Sequence, residues 1–381
     1  MKVLAITPQY LPALGGIEVL VGMLATSFRK KAVETVVVTD KHQGRLLPDH
    51  ELIDSIPVYR FPFLNTLHAR DTVTALNLVK RLDCLLAEIR PDLIHMHSAV
   101  QGGAWAVERA LKKLSPCPPF VVTQHSLLQP EDSLNVVRTL MLRADVLTAV
   151  SQAALDSAIA FSQRADATLV IPNGVSEHET TPRPDRFKPP FALTCVGRLQ
   201  REKGFDLAIA ALAQVRARGL DANLLLIGQG EHRSDFENAA AAFHGMEPHV
   251  RFAGVLDHAE TRRAIADSTL VLAPSRTREG FSLVAAEAAM AGVPCIASRI
   301  GGLAETVQDG VTGILVPPED VSGLAGAIAG VLTDQSRLQL LSTNAQSMAG
   351  ERFNMDKCAE RYLKLYRDLV GRPHARPDVA T

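Results

Sequence analysis

Residues 279–290 read EGFSLVAAEAAM, which sets two carboxylates, Glu279 and Glu287, in an E-x7-E spacing. Ser282 is a suitable N-cap, so a helix is predicted to begin there. Between Gly280 and Pro294, Glu287 is the only charged residue, flanked by Val284, Ala285, Ala286, Ala288, Ala289 and Met290. A carboxylate in so apolar a helix is costly unless something bonds it, and the hydroxyls of a ribose are suitable donors. Glu279 stands just before the helix start, where free N–H groups and the positive dipole end favour a phosphate. The other reading is a cap acid and one surface glutamate, and the apolar neighbours of Glu287 speak against it.

A second candidate is GRLQREKG at 197–204, between a predicted strand and a predicted helix. Arg198 brings a fork of donors and Lys203 a point charge, which together suit a diphosphate. A solvated loop with ordinary surface charge is the alternative. Gly228 and Gly230 end a further strand in IGQGE, either to let a ligand approach the backbone or to make a plain turn. Gly301 and Gly302 open the stretch GGLAE, which reads as a structural turn. In the N-terminal half, the amides of Gly15 and Gly16 suit an anion. His95, His97 and His125 stand at or just after strands, where site residues gather, and each also fits a structural role. The H-x-H of His95 and His97 suggests a metal pair, but no third ligand is evident.

These residues need strand ends and helix starts to hold them. Apolar runs at 3–6, 35–39, 93–95, 120–123, 146–149 and 169–171 read as strands, with helical stretches at 19–28, 73–89 and 104–114. The polar, Pro-rich segment 176–190 reads as a linker. The pattern then restarts with strands at 191–196, 223–227, 250–252, 270–272 and 295–297, a helix at 205–218, and a last helix near 355–370. The expected domains are 1–175 and 191–354, with the last helix packing back on the first. The fold class is α/β, with two Rossmann-like halves of parallel sheet.

Other nucleotide folds are excluded. G-x-G-x-x-G is absent, because position 233 is Arg233, and GRLQREKG has the wrong order for a P-loop. No D-x-D occurs, which argues against a metal-bridged donor phosphate, so no metal cofactor is expected. The net charge of −1 argues against a dedicated nucleic-acid binder. The five cysteines form no C-x-x-C and are expected to be buried, reduced thiols. MKVLAITPQY does not read as a secretory leader, and no run of about 18 apolar residues exists to span a bilayer. A cytoplasmic protein is expected. Residues 76–90, with Lys80, Arg81 and Arg90 among leucines, read either as a helix lying on an acidic membrane or as an ordinary domain helix.

Taken in order, GRLQREKG, IGQGE, EGFSLVAAE and GGLAETVQDGVTGILVPPED resemble the nucleotide-sugar half of glycosyltransferase family 4. MKVLAIT with Gly15 and Gly16, PDLIHMH, TAVS and IPNGV resemble its other half in weaker form. The resemblance implies a GT-B fold, two facing Rossmann-like domains with a cleft between them. It implies transfer of a sugar from a nucleotide-diphosphate sugar to a glycan or lipid-linked acceptor, with retention of configuration and no metal. A nucleotide-sugar epimerase and a non-catalytic nucleotide-sugar-binding protein are the alternatives on the same fold. By the resemblance Arg198 and Lys203 bind the donor diphosphate, Glu279 the sugar hydroxyls and Glu287 the ribose. Gly15, Gly16, Gly228, Gly280, Phe281, Ser282 and Leu283 complete the donor site. His97 sits near the sugar, with His95 the other candidate. Departures from the family are Lys31–Glu34 in place of a Gly-His pair, Ser176 in place of an Asp, and Ser282 where Gly is frequent.

Overall fold

The computed structural model describes residues 1–13, 15–41, 47–69, 71–98, 101–129, 135–164, 166–177, 185–243, 245–277 and 279–371, without the side chains of 67–69 and 101–102. The chain divides into two compact units. One holds Met1–Pro172 and the chain from Met355 onward, and the other holds Asn173–Asn354.

The first unit is built on eight strands: β1 (Lys2–Thr7), β2 (Glu34–Asp40), β3 (His50–Ile53), β4 (Ile56–Phe61), β5 (Leu93–His97), β6 (Phe120–Gln124), β7 (Val146–Ala149) and β8 (Thr168–Val170). Their order is β3-β4-β2-β1-β5-β6-β7-β8. All pairs are parallel except β3 with β4. Successive strands run outward from β1 through β2 on one side and from β5 on the other. The topological switch therefore lies between β1 and β5, and ligands in open α/β sheets gather beyond the strand ends at such a point. The helix Met355–Val370 belongs to this unit. It packs on the helix Gly16–Lys30 through Ser27 Oγ to Asp356 Oδ1 (2.5 Å), Lys31 to Glu360 (2.9 Å) and the edge of Tyr366 on Phe28.

The second unit has six strands, β9 (Phe191–Val196), β10 (Ala222–Ile227), β11 (Val250–Gly254), β12 (Leu270–Ala273), β13 (Cys295–Ser298) and β14 (Gly313–Val316), in the order β11-β10-β9-β12-β13-β14. All pairs are parallel. A parallel sheet is covered on both faces, so its strands are apolar throughout. β12 shows why: Leu270 and Leu272 join the core under the helices Phe205–Ala217 and Val321–Leu332, whereas Val271 and Ala273 join the opposite core with the helix Leu283–Met290. The switch point is between β9 and β12.

Three strands were not legible in sequence. β3 alternates exposed and half-buried residues, and β4 carries a proline and the buried Arg60, so neither shows a clean apolar run. β14 has four residues. β3 and β4 form a hairpin, His50–Ile53 with Ile56–Phe61. Arg60 ties it to the loop after β1, donating to the Leu11 carbonyl (2.8 Å) and pairing with Glu51.

One open reading is narrowed and one expectation is corrected. Leu78, Val79, Leu82, Leu85 and Leu86 of the helix Thr72–Ile89 are buried in the first unit's core, and of the leucines in 76–90 only Leu76 is exposed. Those side chains are not free to enter a lipid surface, so the ordinary domain helix is the better description. Of the cysteines, Cys195, Cys295 and Cys358 are buried, but Cys84 is exposed and Cys117 half-buried. No described helix is long and apolar enough to cross a membrane. Arg278, residues 178–184 of the expected linker and the tail from 372 lie outside the described residues.

Candidate functional site

The loops after β9, β10 and β11 are laced edge to edge. Gly197 N donates to Ile227 O (3.0 Å), Leu199 N to Gln229 O (3.1 Å) and Gly228 N to Gly254 O (2.7 Å). Gly228 has φ +131°, and a Cβ on it would lie 1.9 Å from Gly197 O. On Gly230 it would lie 2.5 Å from Leu199 O, and on Gly204 (φ +67°) 2.1 Å from Pro274 O. Neighbouring backbone by itself requires these glycines, as a turn does. Gly228→Ala is expected to destabilise the second unit by about 3 kcal/mol or more, combining left-handed strain with overpacking. A clearly lowered thermal midpoint checks this, and an unchanged midpoint refutes it.

At the switch point Arg201–Lys203 forms a short 3-10 turn that ends at Gly204, where the helix Phe205–Ala217 starts. Lys203 Nζ donates to Glu279 Oε2 at 2.8 Å, and Ser275 Oγ donates to the same oxygen at 3.2 Å. The Glu279 side chain is only 12% exposed, so its direction is fixed. Its backbone carbonyl accepts from Gly302 N (2.8 Å), which ties in the Gly301–Gly302 turn. The fold thus joins three of the four segments singled out in sequence at one acid. Arg198 is exposed, and its side chain has no hydrogen-bond or ion-pair partner among the described residues.

Sequence reasoning missed Ser275, Asp206 and Arg276. Arg276 forks onto both Asp206 oxygens (2.8 and 2.6 Å) and donates to Arg201 O (2.6 Å), clamping the Lys203 turn to the end of β12. Arg276 stands 70 and 75 positions from Asp206 and Arg201, and no spacing pattern links them.

Ser282 is the N-cap of Leu283–Met290, accepting from Ala285 N (3.2 Å). The cap occupies one of the orphan amides of the first turn; those of Leu283 and Val284 have no acceptor among the described residues. Phe281 and Leu283 pack against a cluster that includes Val175, Ala286 and Phe353, so their side chains are anchors. The first-turn backbone is what this stretch, with the buried Gly280, offers a ligand. Glu287 shares the helix face of Leu283 and Val284, at i−4 and i−3, while the alanines beside it are buried. Burial pushes its pKa up to about 7, with Arg262 pulling the other way.

In the first unit, Gly15 is the N-cap of Gly16–Lys30. A Cβ on Gly15 would lie 2.4 Å from Oε2 of the buried Glu18, so an acid of the chain folds back on this helix start. The amides that the sequence offers to an external anion already stand beside a negative group. His95 and His97 are separated in role. His95 uses both nitrogens, on Tyr366 OH and Thr123 Oγ1 (2.6 Å each), and links the sheet to the last helix. His97 ends β5, with Nδ1 3.1 Å from His125 Nε2. Burial depresses all three pKa values, to about 3 for His95 and His125, so the cluster is neutral. Both His95 nitrogens are thus occupied by side chains. Among the described residues no cluster of His, Cys, Asp and Glu is arranged to hold a metal ion.

Two doubly wound units, the second carrying an acid–lysine pair at its switch point, define an α/β protein of the GT-B class. Residues 14–179 match the model described as Glycosyltransferase Family 4, and residues 190–334 the model described as Glycosyl transferases group 1. The GDP-mannose-dependent alpha-(1-6)-phosphatidylinositol monomannoside mannosyltransferase of Mycolicibacterium smegmatis is 33% identical over 265 residues, 64% of this chain and 68% of that protein. Glycogen synthase of Mycobacterium tuberculosis is 37% identical over 177 residues, 46% of this chain but only 42% of that protein. The structure of Anabaena HepE in complex with UDP-glucose has a TM-score of 0.78 at 26% identity, covering 97% of this chain and 100% of that one. The chain belongs to glycosyltransferase family 4.

Proposed function

We propose that the protein transfers a sugar from a nucleotide-diphosphate sugar to a glycan or lipid-linked acceptor, with retention of configuration and without a metal ion. The observation that carries this reading is the Lys203–Glu279 pair, held at the switch point beside the free first-turn amides of Leu283–Met290. An ammonium, the exposed Arg198 guanidinium and a helix start supply the positive field that a departing diphosphate needs. Glu279 would then hold sugar hydroxyls and Glu287 the ribose. HepE, which binds UDP-glucose, makes a uridine donor the first to test.

The roles assigned to the two acids support retention. Inversion requires a base opposite the leaving group to take the acceptor proton. Glu279 is engaged with Lys203 and Ser275, and Glu287 is assigned to the ribose. In a front-face route the acceptor attacks on the side of the departing diphosphate, whose own oxygen accepts the proton. His97, neutral and bonded to His125, is suited to orienting a hydroxyl rather than to taking its proton; His97→Ala should slow transfer without altering configuration.

Proton NMR of the first product, formed in excess EDTA, tests mechanism and metal independence together. Retained configuration with turnover undiminished by EDTA is expected. An inverted product overturns the mechanism, and loss of turnover that magnesium or manganese restores overturns the assignment of the diphosphate site.

A further inference from the structure

Arg186, in the Pro-rich segment ahead of β9, is half-buried. Nη1 donates to Ala266 O (3.2 Å) and Ala291 O (3.1 Å), and Nη2 to Gly292 O (3.0 Å) and Ser342 Oγ (3.3 Å). The carbonyl of Arg186 accepts from Thr269 Oγ1 (2.5 Å), and that oxygen accepts from Ala192 N of β9 (3.0 Å). The main chain at Arg186 is thereby fastened to the sheet. Phe187 packs on the core, with the guanidinium 4.8 Å over its ring. Burial lowers the pKa of this cation, and Asp267 opposes the shift.

The carbonyls that Arg186 holds are the ends of two helices. Ala266 is the last residue of His258–Ala266, and Ala291 and Gly292 close Leu283–Met290. The second helix stops in a left-handed turn at Gly292 (φ +64°), where Gly292 N donates to Ala289 O (2.9 Å) and Val293 N to Ala288 O (2.8 Å). Those bonds take two of the terminal carbonyls. Ala291 O and Gly292 O are left to Arg186, whose charge also suits the negative end of a helix dipole. The flanks of this helix grip it weakly. Ala285, Ala288 and Ala291 join one core cluster, and Ala286, Ala289 and Met290 another. Helices lock by seating ridges in grooves, and ridges of alanine are shallow. The polar ties at its ends therefore set where the helix stands along its axis.

That position decides where the first-turn amides of Leu283 and Val284 lie, and where Glu287 lies one turn from the other end. Arg262, whose charge acts on Glu287, is carried by the other helix that Arg186 holds. Glu279 is fixed separately, through Lys203, Ser275 and Gly302 N. We infer that Arg186 is a positioning residue for nucleoside diphosphate binding, holding Leu283–Met290 so that its first-turn amides and Glu287 meet the ligand together. The inference rests on the donor-site reading above.

Calorimetry with UDP, GDP and ADP, well below the thermal midpoint and on chains shown to be folded by circular dichroism, tests it. Arg186→Ala should weaken the diphosphate that the unaltered chain binds about tenfold, less than the roughly hundredfold that about 1 Å of misplacement can cost. Arg186→Lys keeps the charge without the fork and should fall between the two. Arg216→Ala removes another half-buried arginine of the same unit, bonded to Asp221 and Ala222 O, and should leave affinity unchanged. In the Arg186→Ala background, Glu287→Ala should cost less affinity than it does alone, because the acid is already displaced. A role in stability alone lowers the thermal midpoint, leaves the affinity of the folded chain intact and gives strict additivity. Unchanged affinity in both Arg186 variants, strict additivity with Glu287→Ala, or equal weakening in Arg216→Ala overturns the inference. If Arg186→Ala does not fold, the lysine variant, alone and with Glu287→Ala, carries the same decision. The two readings fail separately. An unaltered chain that binds none of the three diphosphates loses the donor-site reading and this inference with it, whereas one that binds equally well without Arg186 loses only the positioning role.

Discussion

Replacing Glu279 by alanine should lower the turnover number about 10²–10³-fold, the loss seen when one fixed group of a preorganised site is removed. Its carboxylate is nearly buried and held by Lys203 and Ser275, so it enters the reaction already oriented. A contact made mainly in the transition state shows as a fall in kcat and kcat/KM together. Glu287→Ala, assigned to the ribose, should act mainly on KM and cost less turnover. Lys203→Ala should weaken nucleoside diphosphate binding by about 2–5 kcal/mol. Because the two side chains touch, the double variant should cost less than the sum of the singles. Released nucleoside diphosphate, measured over a range of donor concentrations, separates these effects. Full turnover in Glu279→Ala, or strict additivity with Lys203, would remove the pair from the chemistry.

Glu287→Gln should make the protein more stable at neutral pH while weakening nucleoside diphosphate binding. The folded pKa of Glu287 is raised from 4.5 to about 7 because burial penalises the charged form. Below the unfolded pKa the carboxyl is protonated in both states and contributes no difference. Between the two values the folded chain keeps a proton that the unfolded chain has lost, so stability falls as pH rises, and it levels off above about 7. The span corresponds to about 3 kcal/mol at 1.36 kcal/mol per pKa unit. The glutamine variant lacks this slope. Its advantage in thermal midpoint should therefore be smallest near pH 4.5, grow up to about pH 7 and remain constant above. Calorimetry with UDP should show weaker binding over the same range. A pH-independent midpoint difference would refute the titration, and unchanged UDP affinity would remove Glu287 from the ribose. A site group that costs stability is the usual trade between folding and function.

Much of this protein was legible in its residues. A strand buried on both faces must be apolar throughout, and such runs marked most strands of both sheets, β14 and the β3–β4 hairpin excepted. Ser282 announced the start of its helix, and the isolation of Glu287 among alanines announced a carboxylate that burial would perturb. These are local facts, set by side-chain chemistry over a few turns. What sequence left open was settled by contacts across long separations. That Gly228 and Gly204 tolerate no side chain depends on Gly197 and Pro274 lying against them. Lys203 and Glu279 stand 76 positions apart, and only the winding of β9 and β12 side by side joins them. His95 and His97 are equivalent on paper. Tyr366, brought in by a helix 271 positions away, occupies one and leaves the other to His125. Residue type sets which groups bear charge or resist burial, whereas the sheet order sets which of them meet.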